Sequence, residues 1–157
     1  MHVSILWEDP VTFKLLVSAG LGALIGLERD FAGKDPSLRT FALICMGSCV
    51  FSQMSIYAAS SVSTADPTRI AAQIVPGIGF LGAGAIFQST RGVSGITTAT
   101  LMWITAAIGM AIGFNQVELG VSATLIAILA IYLLKIVHII IFRFRSVRRL
   151  KRMHPQP

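Results

Sequence analysis

The chain has 157 residues, 54% of them hydrophobic and 13% charged, with a formal net charge of +6 and a mean hydropathy of +0.75. A soluble domain carries about 25% charged residues, so this composition excludes an ordinary globular enzyme in water. Six of the thirteen basic residues fall in one tail, 143–152, directly after an apolar run; that placement fits a membrane surface and argues against a nucleic-acid partner.

The N-terminal residues carry Glu8 and Asp9 in place of a basic leader, and the apolar run after them has no small-residue cleavage site, so the first span is expected to be retained. A membrane crossing needs roughly 17 to 25 apolar residues. Five segments qualify: 11–27, 38–58, 70–87, 96–114 and 119–142. Backbone groups in hydrocarbon need internal partners, which makes these runs helices. The predicted fold is an all-α polytopic membrane helix bundle with about five transmembrane helices over 10–142, followed by a basic cytoplasmic tail, 143–157.

Orientation follows from the loop cations. Arg29, Lys34, Arg39, Arg91 and the tail fall on one side and Arg69 alone on the other, with Lys14 and Lys135 inside helices. This bias predicts an outside N-terminus and a cytoplasmic C-terminus. Trp7, Tyr57 and Phe114 then fall near the outer interface and Phe142 and Phe144 near the inner one, while Trp103 lies off both belts. The tail residues Arg143, Arg145, Arg148, Arg149, Lys151 and Arg152 are expected to contact anionic lipid, at about 1 kcal/mol each.

Helix starts are marked by Asp66-Pro67, an N-cap with proline at the first helical position, and by Asp35-Pro36-Ser37 and Ser94-Gly95. The third segment contains Gly77-Ile-Gly-Phe-Leu-Gly82, which matches a dinucleotide-binding turn. That reading fails because a capped helix precedes the motif and the next acid is Glu118. The glycines are expected to serve helix packing, as are Gly22 and Gly26 of the first segment; Gly77, Gly79, Gly82 and Gly84 would place the third helix at the bundle centre. Pro76 is expected to bend it.

Few residues could carry chemistry. Arg69 opposes the positive end of its helix dipole and calls for a partner: Asp66, Glu118 or an external anion. Gln73, Gln53 and Asn115 could complete an outer polar pocket. Glu28, at the end of the first helix, needs a cation; Arg39 is the best placed, with Arg29 and Arg91 as alternatives. Cys45 and Cys49 are one helical turn apart, too far for an easy disulfide. His2, His138 and His154 have no metal-ligand spacing, and no Ser/His/Asp set can be assembled within the spans. No catalytic residue, metal site or cofactor is expected. No acid lies near the bilayer centre, where proton- and cation-coupled carriers usually display one.

Taken together, Gly-Leu-Glu-Arg at 26–29, Leu-Arg-Thr at 38–40, Asp66-Pro-Thr-Arg-Ile-Ala-Ala-Gln-Ile-Val75, Gly77-Ile-Gly-Phe-Leu-Gly-Ala-Gly84, and Gly95-Ile-Thr-Thr-Ala99 through Trp103 to 106–109 resemble the membrane domain of the MgtC/SapB family. The match covers roughly residues 10–140. The resemblance implies a bacterial inner-membrane protein associated with adaptation to low magnesium and, in pathogens, survival inside macrophages. It implies a regulator of other membrane proteins, with a complex such as the ATP synthase as the kind of partner. It also marks Glu28, Arg29, Arg39, Asp66, Arg69, Gln73, Thr97 and Thr98 as candidate functional positions. Pro76 departs from the family, which usually has serine there, and the chain is expected to lack the soluble C-terminal domain that many relatives add.

Two functional readings follow. The first is a non-enzymatic regulator acting through helix contacts with itself, as a homo-oligomer, or with a larger membrane complex. The second is a passive channel or transporter for Mg²⁺ or another small ion, lined by Asp66, Arg69 and Gln73 outside and by Glu28, Arg39, Thr97 and Thr98 inside. A third, purely structural reading has the charged ends only seating the helices.

Overall fold

The structure, a computed structural model, describes residues 10–60, 65–90 and 92–153, with the backbone alone over 142–153. Trp7, Arg91, His2 and His154 lie outside the described residues, as do the side chains of Phe142, Phe144 and the basic tail. The chain forms α1 (Pro10–Phe31), α2 (Leu38–Ser60), a 3₁₀ turn (Ala71–Gln73) leading into α3 (Ile74–Gly84), a two-stranded hairpin β1 (Phe87–Ser89) and β2 (Gly92–Ser94), α4 (Ile96–Gly113) and α5 (Val117–Met153). Five helices thus occupy the five predicted apolar segments. Residues up to Thr124 form one compact unit; residues 125–153 form a second, a single continuous helix that is apolar as far as Ile141.

Among the described residues, α1, α2, α4 and the apolar part of α5 are each long enough to cross a bilayer. The third segment is shorter than the expected 70–87. Its 3 residues of 3₁₀ and 11 of α-helix rise only about 22 Å, against a hydrocarbon core of about 30 Å. Glycine is a poor helix former, and after Gly84 the backbone leaves the helix for the hairpin, which pairs Phe87 with Ser94, Gln88 with Val93 and Ser89 with Gly92. The hairpin was not anticipated, yet it satisfies backbone groups that an open loop would leave to water. Pro76 lies in the first turn of α3, just after the 3₁₀ segment, where its missing N–H costs least.

Local chemistry sets the boundaries. α1 begins at Pro10, a favoured first helical residue, and ends through Gly33 in the left-handed region (φ +61°), with Lys34 N donating to Arg29 O at 3.0 Å. The start of α2 is capped from α1: Asp30 Oδ2 accepts from Leu38 N at 3.3 Å, in place of the expected Asp35-Pro36-Ser37 side chains. At α4 the N-cap is Gly95, not Ser94, at φ +87°. A Cβ there would sit 1.9 Å from the Ala85 carbonyl oxygen, so both the φ and the close approach require glycine.

The core of the first unit is the seam between α2, which also packs against α1, and α4, which also packs against α1 and α3 and is the most buried helix; α3, expected at the centre, packs mainly on α4. Glycines explain the pairing. Cβ atoms at Gly22 and Gly26 would lie 2.5 Å from Phe41 O and from Leu38 Cα, and those at Gly109 and Gly113 would lie 2.0 Å from Cys45 O and 2.4 Å from Ser52 Cβ. At Gly82 a Cβ would make ordinary contact with Ala99 at 3.6 Å, whereas at Gly77, Gly79 and Gly84 it would meet nothing within 4 Å. Four of the buried hydroxyls are satisfied largely within their own helices. Ser18, Ser52, Thr105 and Thr124 each donate to a carbonyl one turn back in their own helix, at 2.7–2.9 Å. Cys45 and Cys49 are buried free thiols.

Candidate functional site

One end of the first unit gathers the C-terminal turn of α2 and the entry to α3. Asp66 Oδ1 accepts from Thr68 N at 2.8 Å and from Thr68 Oγ1 at 2.7 Å, so Asp66 is the N-cap and Pro67 the first residue of the turns that lead into the 3₁₀ segment. Ser55 Oγ, buried on α2, accepts from Ile70 N and Ala71 N at 3.2 and 3.4 Å. One hydroxyl thereby ties the start of the third segment to α2. Sequence reasoning missed Ser55, because a serine inside an apolar helix reads as a small residue.

The Thr68 hydroxyl and then its amide, with Arg69 as a lesser influence, hold the Asp66 carboxyl below its ordinary value of 3.8. A depressed folded-state pKa means that the cap stabilises above the unfolded value and is lost as pH falls through the folded one. Protection of the Thr68 and Ala72 amides against hydrogen exchange, relative to their intrinsic rates, is therefore expected to fall below pH 4 and to be low at every pH in Asp66→Ala. Exchange equal to wild type in that variant would show that the cap does not order this turn.

Asp66, Arg69 and Ile70 line a cavity of about 480 Å³ together with Ser55 and alanines of α2. Arg69 is exposed and forms no ion pair among the described residues; neither Asp66 nor Glu118 neutralises it by direct contact. Gln73 does not join this cavity. It lines a second, larger and mainly apolar one between α2 and α3, about 620 Å³, which also reaches Ile70. Gln53 and Asn115 line neither: Gln53 Nε2 is buried without a hydrogen-bond partner, and Asn115 adopts φ +65° in the connection from α4 to α5.

At the other end, the last turn of α1 holds Glu28 and Arg29, both buried, in a salt bridge. Arg29 Nε also donates to Glu28 Oε2 at 2.5 Å. The expected partner, Arg39, is exposed in the first turn of α2 and does not engage Glu28. Residues i and i+1 normally point to different faces of a helix, which is why adjacency was not the favoured reading. Of the two threonines, Thr97 is exposed and Thr98 buried. Gly109 and Gly113, the tightest helix contact on α4, were legible in principle as a Gly-x-x-x-Gly spacing.

Comparison with known proteins agrees with this picture. A model of the MgtC family matches residues 15–140. The chain is 42% identical over 138 residues to the "Putative magnesium transporter YhiD" of Escherichia coli K12, covering 85% of this chain and 63% of that protein. It is 43% identical over 126 residues to protein MgtC of Salmonella typhimurium LT2, covering 80% and 53%. An uncharacterized Haemophilus influenzae protein is 39% identical over 145 residues, covering 88% and 61%. The chain thus spans a little over half to under two thirds of the length of these relatives. No solved structure matches it. Apolar helices of span length in one unit after another, together with the matched length and identity, make this a multi-pass bacterial inner-membrane protein that belongs to the MgtC family.

Proposed function

We propose that the chain is a non-enzymatic regulator in adaptation to low magnesium, acting through contacts with a second copy of itself or with a larger membrane protein complex. The observation that carries this reading is the close helix packing of the first unit. Its helices meet through glycine contacts, four of its buried hydroxyls donate within their own helices, its buried charges, Glu28 and Arg29, neutralise each other, and among the described residues only the Gln53 amide is buried without a partner. An ion path needs polar groups that remain free to replace a hydration shell, and such an interior offers few. The orientation expected from the loop cations, with the Asp66 and Arg69 end outside, belongs to the same proposal.

A channel or transporter for Mg²⁺ or another small ion is the second reading, favoured by the printed name of the Escherichia coli relative. The test is ion flux in proteoliposomes carrying Mg²⁺, K⁺ or H⁺ gradients, with an Asp66→Asn/Arg69→Gln double variant as control. The regulator reading expects no flux above empty vesicles. Saturable Mg²⁺ flux that the double variant loses would replace it with the transporter reading.

A further inference from the structure

The larger cavity is a groove with an apolar wall on each side, Leu43, Ile44 and Phe51 from α2 facing Ile78 and Leu81 from α3. It exists because two residues that line it, Gly47 and Gly77, have no side chain, and a Cβ at either would meet nothing within 4 Å. At about 620 Å³ it falls within the range of roughly 300–1,000 Å³ typical of sites for drug-sized ligands. Water gains little there, since an apolar site offers too few polar partners to hold it; hydrocarbon fits.

The polar cavity with Arg69 adjoins this groove, and Ile70 lines both. The Asp66 carboxylate is already engaged by Thr68, which leaves the guanidinium without a direct counter-charge among the described residues. Arg69 also lies next to the N-terminal end of the third segment, where an anion is favoured by the helix dipole as well. We propose that the groove and Arg69 form one site for an anionic phospholipid, with an acyl chain in the groove and the phosphate at Arg69. Charge complementarity selects this occupant. A second copy of the chain would fill the groove and leave the cation unanswered, and a zwitterionic lipid would bring its own ammonium to the same place.

Purified protein equilibrated with an equimolar mixture of phosphatidylglycerol and phosphatidylethanolamine, and read by native mass spectrometry, tests the site. Wild type is expected to retain phosphatidylglycerol, and Arg69→Gln to lower that preference by about fivefold, the ratio equivalent to ~1 kcal/mol per cation. The basic tail contributes equally to both proteins and cancels. Gly47→Leu and Gly77→Leu, whose side chains enter open space, are expected to shed the tightly held lipid of either headgroup with far-ultraviolet circular dichroism unchanged. A phosphatidylglycerol carrying a diazirine in its acyl chain should label Phe51 or Ile78 in wild type, a readout that depends on no variant folding. Labelling confined to other helices, a preference untouched by Arg69→Gln, or leucine variants that fold, keep their lipid and lose only self-association would each overturn the proposal.

Discussion

Replacing Gly109 with alanine is expected to loosen the bundle far more than the same change at Gly77. The Cβ added at Gly109 would lie 2.0 Å from the Cys45 carbonyl oxygen and 2.9 Å from the Ser48 Cβ. The obstacle is backbone, so α4 itself must move away from α2 and lose contact along the seam that also holds Gly113. Overpacking of this kind costs about 1–3 kcal/mol. For a chain of this size that corresponds to roughly 2–12 °C in melting temperature, and Gly109→Leu should fail to yield monodisperse protein. Gly77→Ala meets nothing within 4 Å and should be near neutral, gaining slightly in helix propensity. Thermal unfolding in detergent, followed by size-exclusion chromatography, compares the two; equal melting temperatures would refute the close approach of α4 to α2.

The second large effect is expected at the Glu28–Arg29 pair. Both side chains are buried, and each answers the other's charge. Removing one partner from a buried pair costs about 3–5 kcal/mol because it leaves an uncompensated charge, whereas removing both together is often close to neutral. Arg29→Gln should therefore be severely destabilised, with Glu28→Gln less so because a long cation can snorkel toward the interface. The double variant should recover most of the loss. A double-mutant cycle on thermal unfolding measures this coupling. Additive losses would mean that the two residues act separately, and a severe effect of Arg39→Gln on the Glu28 background alone would restore the pairing expected from the sequence.

These two seams place the stability of the first unit on different kinds of contact. The glycine contacts hold α1, α2 and α4 by shape, which is how helices associate when the solvent is itself apolar. The ion pair closes the last turn of α1, and the Asp66 and Ser55 caps order the opposite end, where the lipid site is proposed. A regulator that works by contact can then change its outer surface, on α3, without disturbing the interior seams.

Much of this was determined by the sequence alone. Apolar length and the need to satisfy backbone groups in hydrocarbon set the number and type of the helices, and Asp66-Pro67 announced its cap because an acid before a first-turn proline has a defined geometry. The Gly22 and Gly26 spacing pointed to a tight contact, and the motifs around 26–29 and 66–84 identified the family. Only the tertiary structure decided the rest. Hydropathy says that a helix lies in lipid but not which neighbour it meets, since lipid tails are as apolar as leucine; the centre therefore fell to the seam of α2 and α4, closed by Gly109 and Gly113, and not to the glycine-rich α3. Glu28 found its cation at Arg29 because burial turned both side chains to a shared site that helical spacing would not have chosen. The groove beside Gly47 and Gly77 depends on two missing side chains meeting across two helices, a coincidence of position that no single segment encodes.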